Sequence, residues 1–140
     1  VPPQRRLEIL KDPRHGTFAI SYFAVATALW LAALFALPIA GLEQNCALAA
    51  GSARFAAVLG ALDRRPSPFI LGLDAVLLAV LSVSISPWAW IVIVAIVVFA
   101  LLQCTVLRRA LSRLTGDAYG CTIVCSEIAA LVALVFLPRP

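Results

Sequence analysis

Five long apolar stretches alternate along this chain with short polar segments rich in basic residues. The first runs from Thr17 to Leu37 and is closed by Pro38 and Gly41. The others run from Glu43 to Leu62, Pro68 to Ser86, Pro87 to Leu107 and Tyr119 to Leu137. A helix of about 20 apolar residues crosses the hydrocarbon core of a bilayer, so each stretch is predicted to span a membrane. Ile91 to Val98 is strongly β-branched, but in lipid an isolated strand leaves its backbone unsatisfied and a helix does not. A shorter pattern occupies residues 3–11. Leu7, Ile9 and Leu10 form its apolar side, and Arg5, Arg6 and Lys11 can reach lipid headgroups. Pro2 and Pro3 suit its start, and Asp12-Pro13 ends it. A basic helix, Arg108 to Leu114, follows the fourth span. The predicted fold class is all-α: a polytopic membrane helix bundle of about five transmembrane helices plus a short interfacial N-terminal helix. Residues 1–140 form one membrane domain, without repeats and without a soluble domain.

The charges orient this bundle. Of the 11 Lys and Arg, all but Arg54 and Arg139 fall in three clusters: Arg5, Arg6, Lys11 and Arg14; Arg64 and Arg65; Arg108, Arg109 and Arg113. Each pair of clusters is separated by two crossings, so all three lie on one side, and short cytoplasmic loops collect Lys and Arg. The expected topology has the N-terminus in the cytoplasm and the C-terminus outside, with Trp88 and Trp90 at the outer interface.

Composition agrees with this picture: 63% hydrophobic and 13% charged, against about 45–50% and about 25% in soluble domains. The clusters account for the net charge of +4. No basic stripe interleaved with aromatics is present, so nucleic acid is not an expected partner. Gly51, Ser52 and Gly60 in the second span predict close helix contact. The cysteines, Cys46, Cys104, Cys121 and Cys125, form no CxxC pair, and His15 is the single histidine. They read as small buried hydrophobes rather than metal ligands. No signal peptide is visible and the chain holds 0 Met, which suggests a processed or truncated chain.

Arg54, Asp74 and Glu127 lie inside apolar runs, where a charge costs about 2.5–3.5 kcal/mol on insertion scales. Each is expected to face a partner or a polar cavity. An intramembrane ion pair that fixes packing competes with a functional role for Arg54 and Glu127, and is the leading reading for Asp74. At the cytoplasmic surface, Glu8 and Asp12 sit four apart beside Lys11, Arg14 and His15, and Thr115 and Asp117 flank Gly116. Carboxylates with Arg and Lys suit Mg²⁺-assisted phosphoryl transfer; ordinary solvated charge is the competing reading.

Two segments carry a resemblance. RLEILKDPRHGTF, residues 6–18, resembles the R-x-EIM-R/K-D-S-R-x-GT stretch of the cobalamin synthases, the adenosylcobinamide-GDP ribazoletransferases. RRALSRLTGDAYGCTIVCSE, residues 108–127, looks like that family's K/R-R-x-L-G-G-x-TGD-T-L-GA-x-x-E-x-x-E stretch. Between them, Ala53-Arg54 is similar to the family's Ser-Arg, with Ser52 displaced by one. Departures are the Ser112-Arg113 pair where the family has two glycines, Val124 at its first Glu after TGD, Pro13 at a Ser and Ala19 at a Gly. The family's middle loop has no match in LDRRPSPFILG. Its Asp-rich D-G-L-A-D-x-x-D-G motif lies upstream of the point where this chain begins.

The resemblance implies the last step of cobalamin biosynthesis. Adenosylcobinamide-GDP is joined to α-ribazole or its 5′-phosphate, GMP leaves and Mg²⁺ assists. It implies catalytic roles for Asp12, Arg14 and Asp117, and substrate binding by Lys11, Arg54, Thr115, Gly116 and Glu127. Asp12 and Asp117 are the implied metal ligands. The implied partners are the nucleotide-activated corrinoid, α-ribazole, membrane lipids, and an N-terminal half or a second copy. Without the Asp-rich segment, the isolated chain is expected to be inactive. Two other readings stand beside this one: a small transporter or channel subunit with Arg54 and Glu127 lining a path, and a degenerate structural fragment.

Overall fold

A computed structural model describes residues 5, 8–9, 16–60, 67–111 and 114–138. Five helices carry the described fold: α1 (Thr17–Ala36), α2 (Leu42–Gly60), α3 (Pro68–Ile85), α4 (Ala89–Leu111) and α5 (Gly116–Val135). The predicted all-α bundle is therefore observed. Of the interfacial N-terminal segment, Arg5, Glu8 and Ile9 are helical, and its remaining residues lie outside the described set. Four of the helices, α1, α3, α4 and α5, are long and apolar enough to cross a membrane. The protein is a multi-pass membrane protein by that measure.

The second predicted span needs correction. By length and composition α2 does not qualify as a crossing, because Glu43, Gln44, Asn45, Ser52 and Arg54 dilute its apolar residues. It lies instead at the centre of the bundle. It packs on α3, α4 and α5, and Leu48, Ala49, Ala53 and Ala56 are fully buried along it. A helix hidden from lipid does not need an apolar surface all round.

Small residues set this packing. Apolar surface gains little by leaving lipid for protein, so membrane helices associate through close van der Waals contact, which small side chains permit. A Cβ at Gly60 would stand 2.6 Å from Cys104 Sγ on α4, and one at Gly51 would stand 3.0 Å from Leu78 Cδ2 on α3. Beside Gly60, the Arg108 guanidinium donates to the Gly60 carbonyl at 2.7 Å, satisfying a carbonyl at the α2 C-terminus. The predicted basic helix from Arg108 begins as the last turn of α4, which runs unbroken to Leu111 because neither Gly nor Pro interrupts it.

The turns follow local chemistry. Leu37 closes α1 with its N–H on Ala33 at 3.1 Å, directly before Pro38. Gly41, at φ 82°, makes the left-handed bend into α2. At the same end Ser86 donates to the Pro138 carbonyl at 3.0 Å and accepts the Trp88 N–H at 3.3 Å. This ties the α3–α4 turn to the end of α5. The opposite end holds Arg108, Arg109 and the start of α5, and is called the basic end below.

α1 differs from the rest. It packs on α5, and Ala33 is its one buried side chain among those described. The α1–α5 contact leaves a lateral cleft, which the core helices do not fill.

Candidate functional site

At the basic end, α5 begins at Gly116, three residues earlier than the sequence pattern suggested. Thr115 explains the shift. It sits at the N-cap with extended backbone, and its hydroxyl oxygen accepts the Ala118 N–H at 3.3 Å. Thr115 therefore has a structural task that its assignment as a substrate contact did not anticipate. Asp117 lies exposed in the first turn, where a carboxylate is favoured by the helix dipole. Nothing crowds Gly116, so its backbone is open to an approaching anion.

Deeper in the bundle, the two charges singled out as intolerable in lipid meet each other. Arg54 on α2 and Glu127 on α5 form an ion pair, Nη1 to Oε2 at 3.3 Å. The same Nη1 donates to the Ala50 carbonyl at 2.9 Å. Trp30 on α1 donates its indole N–H to the other Glu127 oxygen at 3.4 Å. Glu127 thus joins three helices, and each of its oxygens has a donor. Its side chain is 23% exposed and that of Arg54 is 60% exposed, so the pair lines an open face rather than filling the core. The ion-pair reading of Arg54 and Glu127 is observed. Asp74 departs from it: among the described residues its carboxylate makes no hydrogen bond or ion pair, and it lines a groove between α2 and α3 with Arg54.

Between the two levels lies a third polar group. The Tyr22 hydroxyl on α1 and Cys125 Sγ on α5 are 2.6 Å apart, and Cys121 Sγ is 4.0 Å from Cys125. Cys104 is buried, as the reading of the cysteines as small hydrophobes requires, but Cys121 is exposed and Cys46 and Cys125 are half-buried. Cys121 and Cys125 face the cleft because their side of α5 meets only α1.

The predicted site is therefore divided along α5. Ten residues, about 15 Å of helix, separate Asp117 from Glu127. Thr115, Gly116 and Asp117 stand together at the mouth, and Arg54 with Glu127 stands at the floor. Lys11, Asp12 and Arg14 lie outside the described residues. Among the described residues no three His, Cys, Asp or Glu gather as metal ligands. Asp117 is one carboxylate where Mg²⁺ takes one or two together with substrate phosphates, so the described donors fit part of a Mg²⁺ shell.

The residues missed by sequence reasoning are Tyr22 and Trp30. Their signal was position: both aromatic tips carry a polar atom that prefers a membrane interface, and Trp30 sits inside a span, far from either end. The cleft they border is lined by Phe23, Ala26, Thr27, Trp30, Val124, Glu127 and Ile128, with a volume of about 230 Å³.

Comparison with known proteins now gives this arrangement a context. The cobalamin-5-phosphate synthase family (CobS) matches residues 1–135. The adenosylcobinamide-GDP ribazoletransferases of Shigella flexneri serotype 5b and of Escherichia coli O45:K1 and O9:H4 are each 34% identical to the chain over 151 aligned positions. Those alignments cover 94% of this chain and 60% of each relative, so the chain spans about three-fifths of the relatives' length. No solved structure matches it. With nearly the whole sequence matched by one family, and with that family's two characteristic segments bracketing the helices described above, the chain belongs to the cobalamin-5-phosphate synthase family.

Proposed function

We propose that this chain carries the transfer that joins adenosylcobinamide-GDP to α-ribazole or its 5′-phosphate. The observation that carries the reading is the family match over residues 1–135, supported by relatives whose name is that activity. A ribose hydroxyl of α-ribazole attacks the phosphorus attached to the cobinamide arm. An O–P bond forms, the diphosphate P–O bond breaks, GMP leaves, and the hydroxyl proton passes to a base.

The mouth of the cleft suits this chemistry. The first N–H groups of α5 have no partner within the helix, and the Thr115 cap uses only that of Ala118. The N–H groups of Gly116 and Asp117 are then available to phosphate oxygens, with the helix dipole behind them. Lys11 and Arg14 would add charge-assisted hydrogen bonds to the diphosphate. Asp117 and Asp12 are the carboxylates proposed to take the proton or hold Mg²⁺, whose role when bound is to offset the diphosphate charge. Arg54 and Glu127 close the floor and contact the substrate from below. The basic end faces the cytoplasm in this reading. A cysteine in place of Arg64 that reacts with an impermeant reagent only from outside would reverse that orientation.

One observation favours a second reading, a small transporter or channel subunit. Arg54 pairs with Glu127 near the middle of α5, where lines of transport place their charges. The two readings separate in one assay. Membranes containing the protein are given adenosylcobinamide-GDP, α-ribazole and Mg²⁺, and GMP and cobalamin are measured. Metal-dependent GMP release supports the transferase; its absence together with substrate uptake into vesicles supports the transporter.

A further inference from the structure

We infer that the α1–α5 cleft is the subsite for the nucleoside substrate, its fused bicyclic base against the Trp30 indole and its sugar toward the basic end. The inference rests on the transferase reading and adds to it which of the two substrates this face receives.

Size decides first. A cleft of about 230 Å³ admits a planar bicycle and excludes a corrinoid macrocycle. The chemistry of the lining decides next. Phe23, Ala26, Val124 and Ile128 offer apolar surface, and Trp30 offers an aromatic face on which a base can stack. The single carboxylate, Glu127, presents no bare charge to such a ring, because Trp30 and Arg54 hold its two oxygens. Glu127 acts here as a positioning residue: its hydrogen bond fixes the indole as a wall of the cleft.

The vertical order of polar groups fits a nucleoside. From floor to mouth along α5 come Glu127 with Trp30, then Cys125 with Tyr22, then Asp117. A base at the lowest level puts its sugar near the Tyr22 hydroxyl. The reacting hydroxyl then points to the first turn of α5, where the mouth can receive the diphosphate. A lipid acyl chain could fill the apolar part of the same cleft, but it would leave the Trp30–Glu127 bond and the Tyr22 hydroxyl without a use.

The test uses the protein in membranes, with two readouts. The first is steady-state GMP release with each substrate varied in turn. Trp30→Ala should raise the KM for α-ribazole about tenfold, as expected for loss of base stacking. It should leave the KM for adenosylcobinamide-GDP unchanged, and Trp30→Phe should restore most of the difference. The second is binding without turnover. In a Trp88→Phe/Trp90→Phe background Trp30 is the remaining Trp, and α-ribazole alone should quench its emission. An active Trp30→Ala variant with both KM values unchanged, or both raised equally, would overturn the assignment. So would emission that brominated lipid quenches and α-ribazole does not affect. Absence of GMP release from the wild-type protein contradicts the transferase reading, while quenching still decides whether the cleft takes the nucleoside.

Discussion

The α2–α4–α5 core and the α1–α5 cleft share α5, yet its two sides behave oppositely. Toward α2 and α4, α5 presents Thr122, Ser126, Ala130 and Leu134, all buried. Small residues there let helices approach until Gly60 touches Cys104. Toward α1 it presents Cys121, Val124, Cys125 and Glu127, which stay partly open. The contrast teaches that intramembrane polarity is handled in two ways in one bundle. In the core, hydroxyls turn back onto their own helix, as Thr122 does to the Ala118 carbonyl at 3.0 Å and Ser52 to Ala49 at 3.1 Å. In the cleft, polar groups pair between helices and remain accessible to a ligand.

The largest effect expected on folding is from Glu127→Ala. It leaves the Arg54 guanidinium without its ion pair at bilayer depth, at a cost of about 2.5–3.5 kcal/mol. Thermal aggregation in mild detergent should fall markedly in temperature. A double variant, Arg54→Leu/Glu127→Leu, should be less damaged than the single one, because no charge is left uncompensated. Equal damage would mean that the pair does not join α2 to α5.

Gly60→Ala probes the other side of the comparison. The added Cβ meets Cys104 Sγ at 2.6 Å, and overpacking of this kind costs about 1–3 kcal/mol. Adding Cys104→Ala removes the nearer atom and should recover part of the loss, as read by the same aggregation measurement. Recovery is incomplete because the Cys104 Cβ is itself 3.3 Å from the new atom.

Thr115→Ala is expected to act least on stability. Loss of an N-cap costs about 1 kcal/mol, and Thr115→Ser should keep the cap. If Thr115 acts only through the cap, turnover should follow helix stability, and Ser should restore both.

These expectations were unequally legible in the sequence. The membrane helices were, because apolar length and basic clusters are local signals that lipid enforces. The ends of α1 and the bend at Gly41 were too, since Pro38 and Gly41 act on their own backbone. The partner of Arg54 was not, because Glu127 is 73 residues away and pairing over that distance is decided by helix packing. The central place of α2 was hidden for the same reason: its polar residues marked it as a poor crossing, but only its neighbours show that it is shielded. Trp30 carried a readable anomaly, an indole far from either interface, whose meaning depends on Glu127 lying opposite. Asp12 and Arg14, central to the predicted site, fall outside the described residues.

The central claim is that chemistry takes place at the mouth of the cleft, where α5 begins, and not along the groove between α2 and α3. GMP release by Asp117→Asn, compared with Asp74→Asn in equally loaded membranes, tests it most directly. Both changes remove one intramembrane or near-membrane carboxylate charge with little change in shape. The account predicts that Asp117→Asn loses about 100-fold or more, the scale of a lost acid–base or charge-stabilising group, while Asp74→Asn retains near wild-type turnover. Full activity in Asp117→Asn, or a comparable loss in Asp74→Asn, would contradict it.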